Sequence, residues 1–150
     1  MKDTTWILTA DSNRCKLYQV NKKPYQALLV KEIQHPASKL RDVELTADKS
    51  GHYQTSSGSP GAFTQQSDPK EIEIDNFARH IAEELDKGRT AQDYNHLIVI
   101  APPHMNGLIL QHINKEVKKL ITQSIIKDVM HLTEQDLTDF LHEHVERKAI

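Results

Sequence analysis

Apolar residues fall first in short runs and alternations and later in helical stripes, and this change of period sets the expected architecture. Trp6-Ile-Leu-Thr-Ala10 and Lys16-Leu-Tyr-Gln-Val20 are short, apolar and aromatic, and Asp11-Ser-Asn-Arg14 between them is turn chemistry, so the pair reads as a hairpin. Asn21-Lys-Lys-Pro24 makes the next turn, and Ala27 to Gln34 begins as a buried strand and ends in alternation. The first third is therefore a three-stranded antiparallel meander. From His35 to Ser67 there is little periodicity. Asp68-Pro69-Lys70-Glu71 then opens a helix: Asp68 caps free N–H groups, Pro69 suits the first helical position and Glu71 completes a capping-box-like pattern. Ile74, Phe77, Ala78, Ile81, Ala82 and Leu85 form its apolar stripe, and Gly88 is the expected stop.

Asn95 to Ala101 is the nearly all-apolar run of a central parallel strand, ended by Pro102-Pro103, which cannot continue the ladder. Met105, Leu108, Ile109, His112 and Ile113 give a second helical stripe, Glu116 to Leu120 a short helical turn, and Gln123 to Val129 a last strand. Thr133 with Asp136 resembles a cap, Leu132 can staple against Leu137, and Leu137, Phe140, Leu141 and Val145 make the closing stripe. The order is β-β-β-α-β-α-β-α. Right-handed crossovers place the last two strands parallel to the first, which predicts an α/β fold of three layers with a mixed sheet in the order 3-2-1-4-5.

Length and charge narrow the picture. The 150 residues suit one domain spanning 1–150, with a long flexible loop expected at 36–67. Lys and Arg number 19 against 21 Asp and Glu, a formal charge of -2, so no bulk attraction to nucleic acid or an anionic membrane is implied and any such contact must be local. The opening MKDTTWILTA has no apolar run of signal-peptide length, and nowhere do about 18 apolar residues follow one another. The expected compartment is the cytoplasm, with surface exposure left open. Cys15 is the only cysteine, which excludes an intramolecular disulfide and a thiolate zinc cluster.

Several pieces, in order, resemble the bacterial host-attachment protein family, described as required for attachment to host cells. They are Trp6-Ile-Leu-Thr-Ala-Asp11 with Arg14 and Tyr18; His35-Pro36 with Lys39, Asp42 and Leu45; Asp48-Lys49 and Gly51; Asp68-Pro69-Lys70 with Phe77 and Ala78; and Leu97 to Pro103 with Gly107-Leu108. Lys127-Asp128 and Leu132 extend the likeness. That family is similar in turn to the middle domain of the class I eukaryotic and archaeal release factor and Pelota, a ribonuclease H-like fold. The resemblance implies a role in host attachment. In the release factor a Gly-Gly-Gln loop sits between the meander and the first helix; here residues 50–67 hold that position with Gly58, Gly61, Gln65 and Gln66 but no Gly-Gly-Gln.

The candidate chemistry is sparse. The 50–67 stretch is either a contacting finger, with Gly58 and Gly61 permitting positive φ and backbone N–H groups meeting phosphate, or a solvated connection. Nearby Lys39, Arg41, Lys49 and His52 are interleaved with Asp42, Glu44 and Asp48, a weak phosphate footprint. Pro103, His104 and Asn106 lie just past the carboxyl end of a parallel strand, where open α/β sheets bind ligands, although Pro-Pro is equally a strand stop. A nuclease needs clustered carboxylates for metal ions; Asp11 reads instead as a turn residue, and Glu83, Glu84 and Asp86 fall largely off the apolar stripe. His142 and His144, two apart on a helix, point about 200° from one another and cannot share an ion. Cys15 reads as a buried, inert thiol and His112 as a core neighbour. The expectation is a non-enzymatic binding protein with no cofactor and no metal, acting on an unidentified macromolecule. A ribosome- or tRNA-associated rescue factor is the alternative, and peptidyl-tRNA hydrolysis and metal-dependent nuclease action are the enzymatic exceptions.

Overall fold

The computed structural model describes residues 3–35 and 68–146. The meander consists of β1 (Thr5–Ala10), β2 (Arg14–Lys22) and β3 (Tyr25–Gln34), each antiparallel to the next. Then come α1 (Pro69–Thr90), β4 (His96–Ala101), α2 (Pro103–His112), the short α3 (Lys115–Leu120), β5 (Ile121–Ile126) and α4 (Glu134–Leu141), which widens into a π turn over His142–Glu146. The five strands lie in the order β3-β2-β1-β4-β5, with β4 parallel to both β1 and β5. This is the expected order. The apolar run of β4 stands between β1 and β5 because both of its faces are covered, which is what a continuous apolar strand requires.

Strand alternation divides the core in two. Trp6, Leu8 and Ala10 of β1 join Leu97, Val99 and Ala101 of β4 under α1, α2 and α3, through Phe77, Ile81, Leu85, Ile109 and Val117. On the opposite face Ile7, Ile98 and Ile100 pack with Tyr18 against Leu137, Phe140 and Leu141 of α4 and Val145 of the π turn. The molecule is thus three-layered.

Three expectations are corrected. Gly88 does not stop α1, which continues to Thr90. A Cβ there would stand 2.8 Å from Trp6 Cζ3 and 2.9 Å from Cη2, so glycine serves the close approach of the indole, which stacks on Tyr94 with centroids 4.8 Å apart. The helix is ended by N–H groups of Ala91, Gln92 and Asp93 folding back on the carbonyls of Lys87, Arg89 and Gly88, with Gln92 at φ 62°. The start of β3 is not buried: Leu28, Leu29 and Val30 are 42%, 44% and 47% exposed, because β3 is outermost and a bulge opposite Leu17 and Tyr18 puts Val30 out of register. Its edge is nevertheless covered by α4, where Thr138 Oγ1 accepts from Ala27 N–H at 3.0 Å and Glu134 Oε2 from Leu29 N–H at 3.3 Å. Finally, β5 occupies Ile121–Ile126 rather than 123–129, since Ile121 pairs with Leu97 directly after α3; beyond the strand, Lys127 N–H still bonds Ala101 O at 3.0 Å.

Candidate functional site

The carboxyl ends of β1 and β4 are neighbours, and four connections meet there. Past β1, Asp11 Oδ1 accepts from the N–H groups of Asn13 and Arg14, both at 2.8 Å, which closes the hairpin turn. The carboxylate of Asp11 is therefore committed to backbone, as expected of a turn residue. The far end of β3 returns to the same turn. His35 N–H donates to Asn13 O at 3.0 Å, and the buried His35 ring stacks on Phe77 of α1 with centroids 4.9 Å apart.

The first turn of α1 lies at this same end. Asp68 caps it by accepting from Lys70 N–H at 3.0 Å, and Pro69 takes the first helical position. Glu71, expected in a capping box, reaches across to α2 instead, with Oε1 2.9 Å from His104 Nε2. His104 stands at the first turn of α2, which begins with Pro102 and Pro103 and has no side-chain cap. The ends of the 36–67 segment, His35 and Asp68, thus flank one surface together with Pro103, His104 and the β1–β2 turn.

Of the residues singled out in the sequence, Pro103 and His104 are exposed on this surface. Asn106 is not available to a ligand. It is 2% exposed and turned inward, its Nδ2 donating to Ser124 Oγ of β5 at 3.2 Å, so it joins α2 to the sheet. Gly58, Gly61, Gln65 and Gln66 lie outside the described residues, as do Lys39, Arg41, Lys49 and His52.

The contact of Glu71 with His104 is one end of a polar seam along α1. One helical turn on, Asp75 Oδ1 lies 2.7 Å from His112 Nε2, and near the other end Asp86 Oδ1 accepts from Asn114 Nδ2 at 2.9 Å. The hydrogen bond from His112 is the largest of the influences that hold the Asp75 carboxyl below its ordinary value. Reading His112 merely as a core neighbour misses this seam. Its signal is Glu71 and Asp75 at i, i+4 on α1 facing His104 and His112 at i, i+8 on α2.

Elsewhere, burial first of all pushes the Cys15 thiol far up, with Asp11 and Glu84 adding to it, so the group stays a protonated thiol. His142 packs on Tyr25, whereas His144 stacks on Phe140 and bonds its carbonyl at 2.9 Å, so the two histidines address different partners. Among the described residues no three His, Cys, Asp or Glu side chains converge to hold a metal ion. No described helix is long and apolar enough to cross a membrane. At the opposite end of the sheet, beside the amino ends of β1 and β4, lies a cleft of about 480 Å³ lined in part by Thr5, Lys22, Tyr25, His96, Gln123 and Val145.

Comparison with known proteins gives three findings. Residues 6–141 match the family described as "Protein required for attachment to host cells". An uncharacterized protein of Rickettsia prowazekii (strain Madrid E) is 35% identical over 80 residues, 52% of this chain and 53% of that protein, so the match spans about half of the relative's length. Among solved structures, an archaeal protein superposes with a TM-score of 0.52 at 11% identity, covering 95% of this chain and 34% of that one. S. cerevisiae Dom34, a translation termination-like factor involved in RNA quality control pathways and interacting with Hbs1, superposes with a TM-score of 0.51 at 12% identity, covering 98% and 35%. These superpositions show a shared fold and, at 11% and 12% identity, nothing of shared activity.

Proposed function

The chain belongs to the host-attachment family, and from that premise we propose that it is a single-domain, non-enzymatic binding protein acting indirectly in attachment, through a macromolecular partner held at the strand-carboxyl end of its sheet. The observation that supports this reading is the convergence of His35, Asp68, Pro103, His104 and the Asp11 turn on one surface. In open α/β sheets that end is where ligands are bound. The 50–67 stretch, with Gly58, Gly61, Gln65 and Gln66, is joined to the fold at this surface and is read as its contacting segment. Asn106 is left out of the contact set, because its amide is occupied by Ser124.

In this reading the protein works inside the cell. Protease added to intact cells is expected to leave the full pool untouched; its removal by the protease defeats the indirect reading and favours direct adhesion.

A second reading takes the partner to be a ribosome or tRNA. It is supported by the fold shared with Dom34, a translation termination-like factor, and by the place of the 50–67 stretch between β3 and α1. Co-sedimentation with ribosomes from a lysate, weakened by Gly58→Ala with Gly61→Ala, is its expected outcome. Recovery solely in the soluble top fractions defeats it.

A further inference from the structure

The second face is covered along part of its length. α4 and its π turn lie over Ile7, Ile98 and Ile100. Two residues before Ile7 and Ile98 stand Thr5 and His96, and two and four residues beyond Tyr18 stand Val20 and Lys22; alternation turns them to this same face, where they line the cleft of about 480 Å³. Thr5 and His96 are register partners, as are Lys22 and Tyr25, so residues far apart in the chain meet across neighbouring strands. One wall is closed by the π turn, where Val145 packs on the second cluster and His144 O accepts from Gln123 Nε2 of β5 at 3.3 Å. Small-molecule sites commonly enclose about 300–1,000 Å³. The cleft falls within that range.

Its lining separates into an apolar part and two charges. Val20, Ile98 and Val145 supply the apolar part. Of the charges, Asp3 is already engaged: its Oδ1 accepts from Asn95 Nδ2 at 3.2 Å and lies 3.8 Å from His96 Nε2. Lys22 is exposed and forms no ion pair with any described residue. A cationic occupant would be repelled by this ammonium, and an uncharged one would displace its water without replacing it. A dianion such as phosphate fits poorly, because a single lysine would face it and Asp3 adds a like charge to the rim. One negative charge on an apolar body matches both parts of the lining.

We propose that this cleft binds a small free monocarboxylic acid with an aliphatic body, its carboxylate meeting Lys22 Nζ and its body lying on Val20, Ile98 and Val145. The cleft is at the opposite end of the sheet from the proposed partner surface, so the inference does not rest on that reading.

Hexanoate is the probe, titrated into the full chain and followed by proton–nitrogen spectra. The amide resonances of Val20, Lys22 and His96 are expected to move and to saturate, whereas hexanol and hexylammonium bind at least about tenfold more weakly. Lys22→Met keeps the aliphatic stem at an exposed strand end and is expected to weaken hexanoate about tenfold, with the rest of the spectrum reporting an intact fold. Asp3→Asn, which removes the like charge from the rim, is expected to tighten it about threefold. The proposal is overturned if hexanoate leaves these resonances unmoved, if hexanol or hexylammonium matches it, or if Lys22→Met binds it equally well. Tighter binding of N-acetyl-leucinate, which carries a peptide amide beside its carboxylate, would also overturn it by assigning the cleft to a peptide end.

Discussion

On one face of the sheet three helices lie over Trp6, Leu8 and Ala10; on the other, α4 and its π turn lie over Ile7, Ile98 and Ile100. The first face is held together twice, by a continuous apolar cluster and by the seam of Glu71, Asp75 and Asp86 with His104, His112 and Asn114. The second leaves the 480 Å³ cleft and fastens its helix to the outermost strand by side-chain contacts to backbone. The difference teaches that the first face is shared among several elements, whereas the second rests on α4 and its π turn. A loss on the first face removes contacts that several elements share, while a loss on the second remains local.

Phe77→Ala is expected to have the largest effect, about 3–5 kcal/mol in urea unfolding, since it empties a fully packed site and removes the surface on which His35 stacks. Leu141→Ala, equally buried beneath α4, is expected to cost less, about 2–3 kcal/mol, because the thinner layer can collapse into the gap. Equal losses at the two positions would break the comparison. Thr138→Val leaves the Ala27 N–H without its acceptor and is expected to cost about 1–2 kcal/mol. Amide exchange sharpens that test: Ala27 should exchange faster while core amides of β1 and β4 keep their protection.

The smallest effect is one of pH. The Asp75 carboxyl is held below its ordinary value of 3.8, chiefly by the hydrogen bond from His112, so its contribution is present above that value and is lost as pH falls through the lower folded value. Asp75→Asn should therefore lower stability slightly near neutrality and flatten the loss of stability below about pH 4. An unchanged acid slope would show that the seam does not bias the first face.

Much of the fold was legible because local signals agreed with one another. The turn at Asp11, the Asp68-Pro69 start and the all-apolar β4 each fix an element, and crossover handedness then orders the strands. Burial was less legible. Ala27-Leu-Leu-Val30 has the composition of a covered strand, and only its position as outermost strand, with α4 bonding its edge, leaves those side chains exposed. Gly88 shows the same ambiguity: glycine signals a helix stop or a close approach, and the indole of Trp6, far away in sequence, decides between them. At the candidate site the sequence located the strand end but misjudged the side chains. Asn106 turns inward to Ser124, and Glu71 leaves its own helix to meet His104, because both choices depend on partners 18 and 33 residues away.

The anchoring of His35 and Asp68 bears on how this protein can be altered. His35 is held by Asn13 and Phe77, and Asp68 by the helix it caps, all within the described fold. Joining two fixed points by a longer or shorter connection changes the closure entropy slowly, by about 0.6 kcal/mol for each doubling of length. A change in length between these two points is therefore expected to leave the sheet beneath standing, as a chassis that does not depend on what it carries.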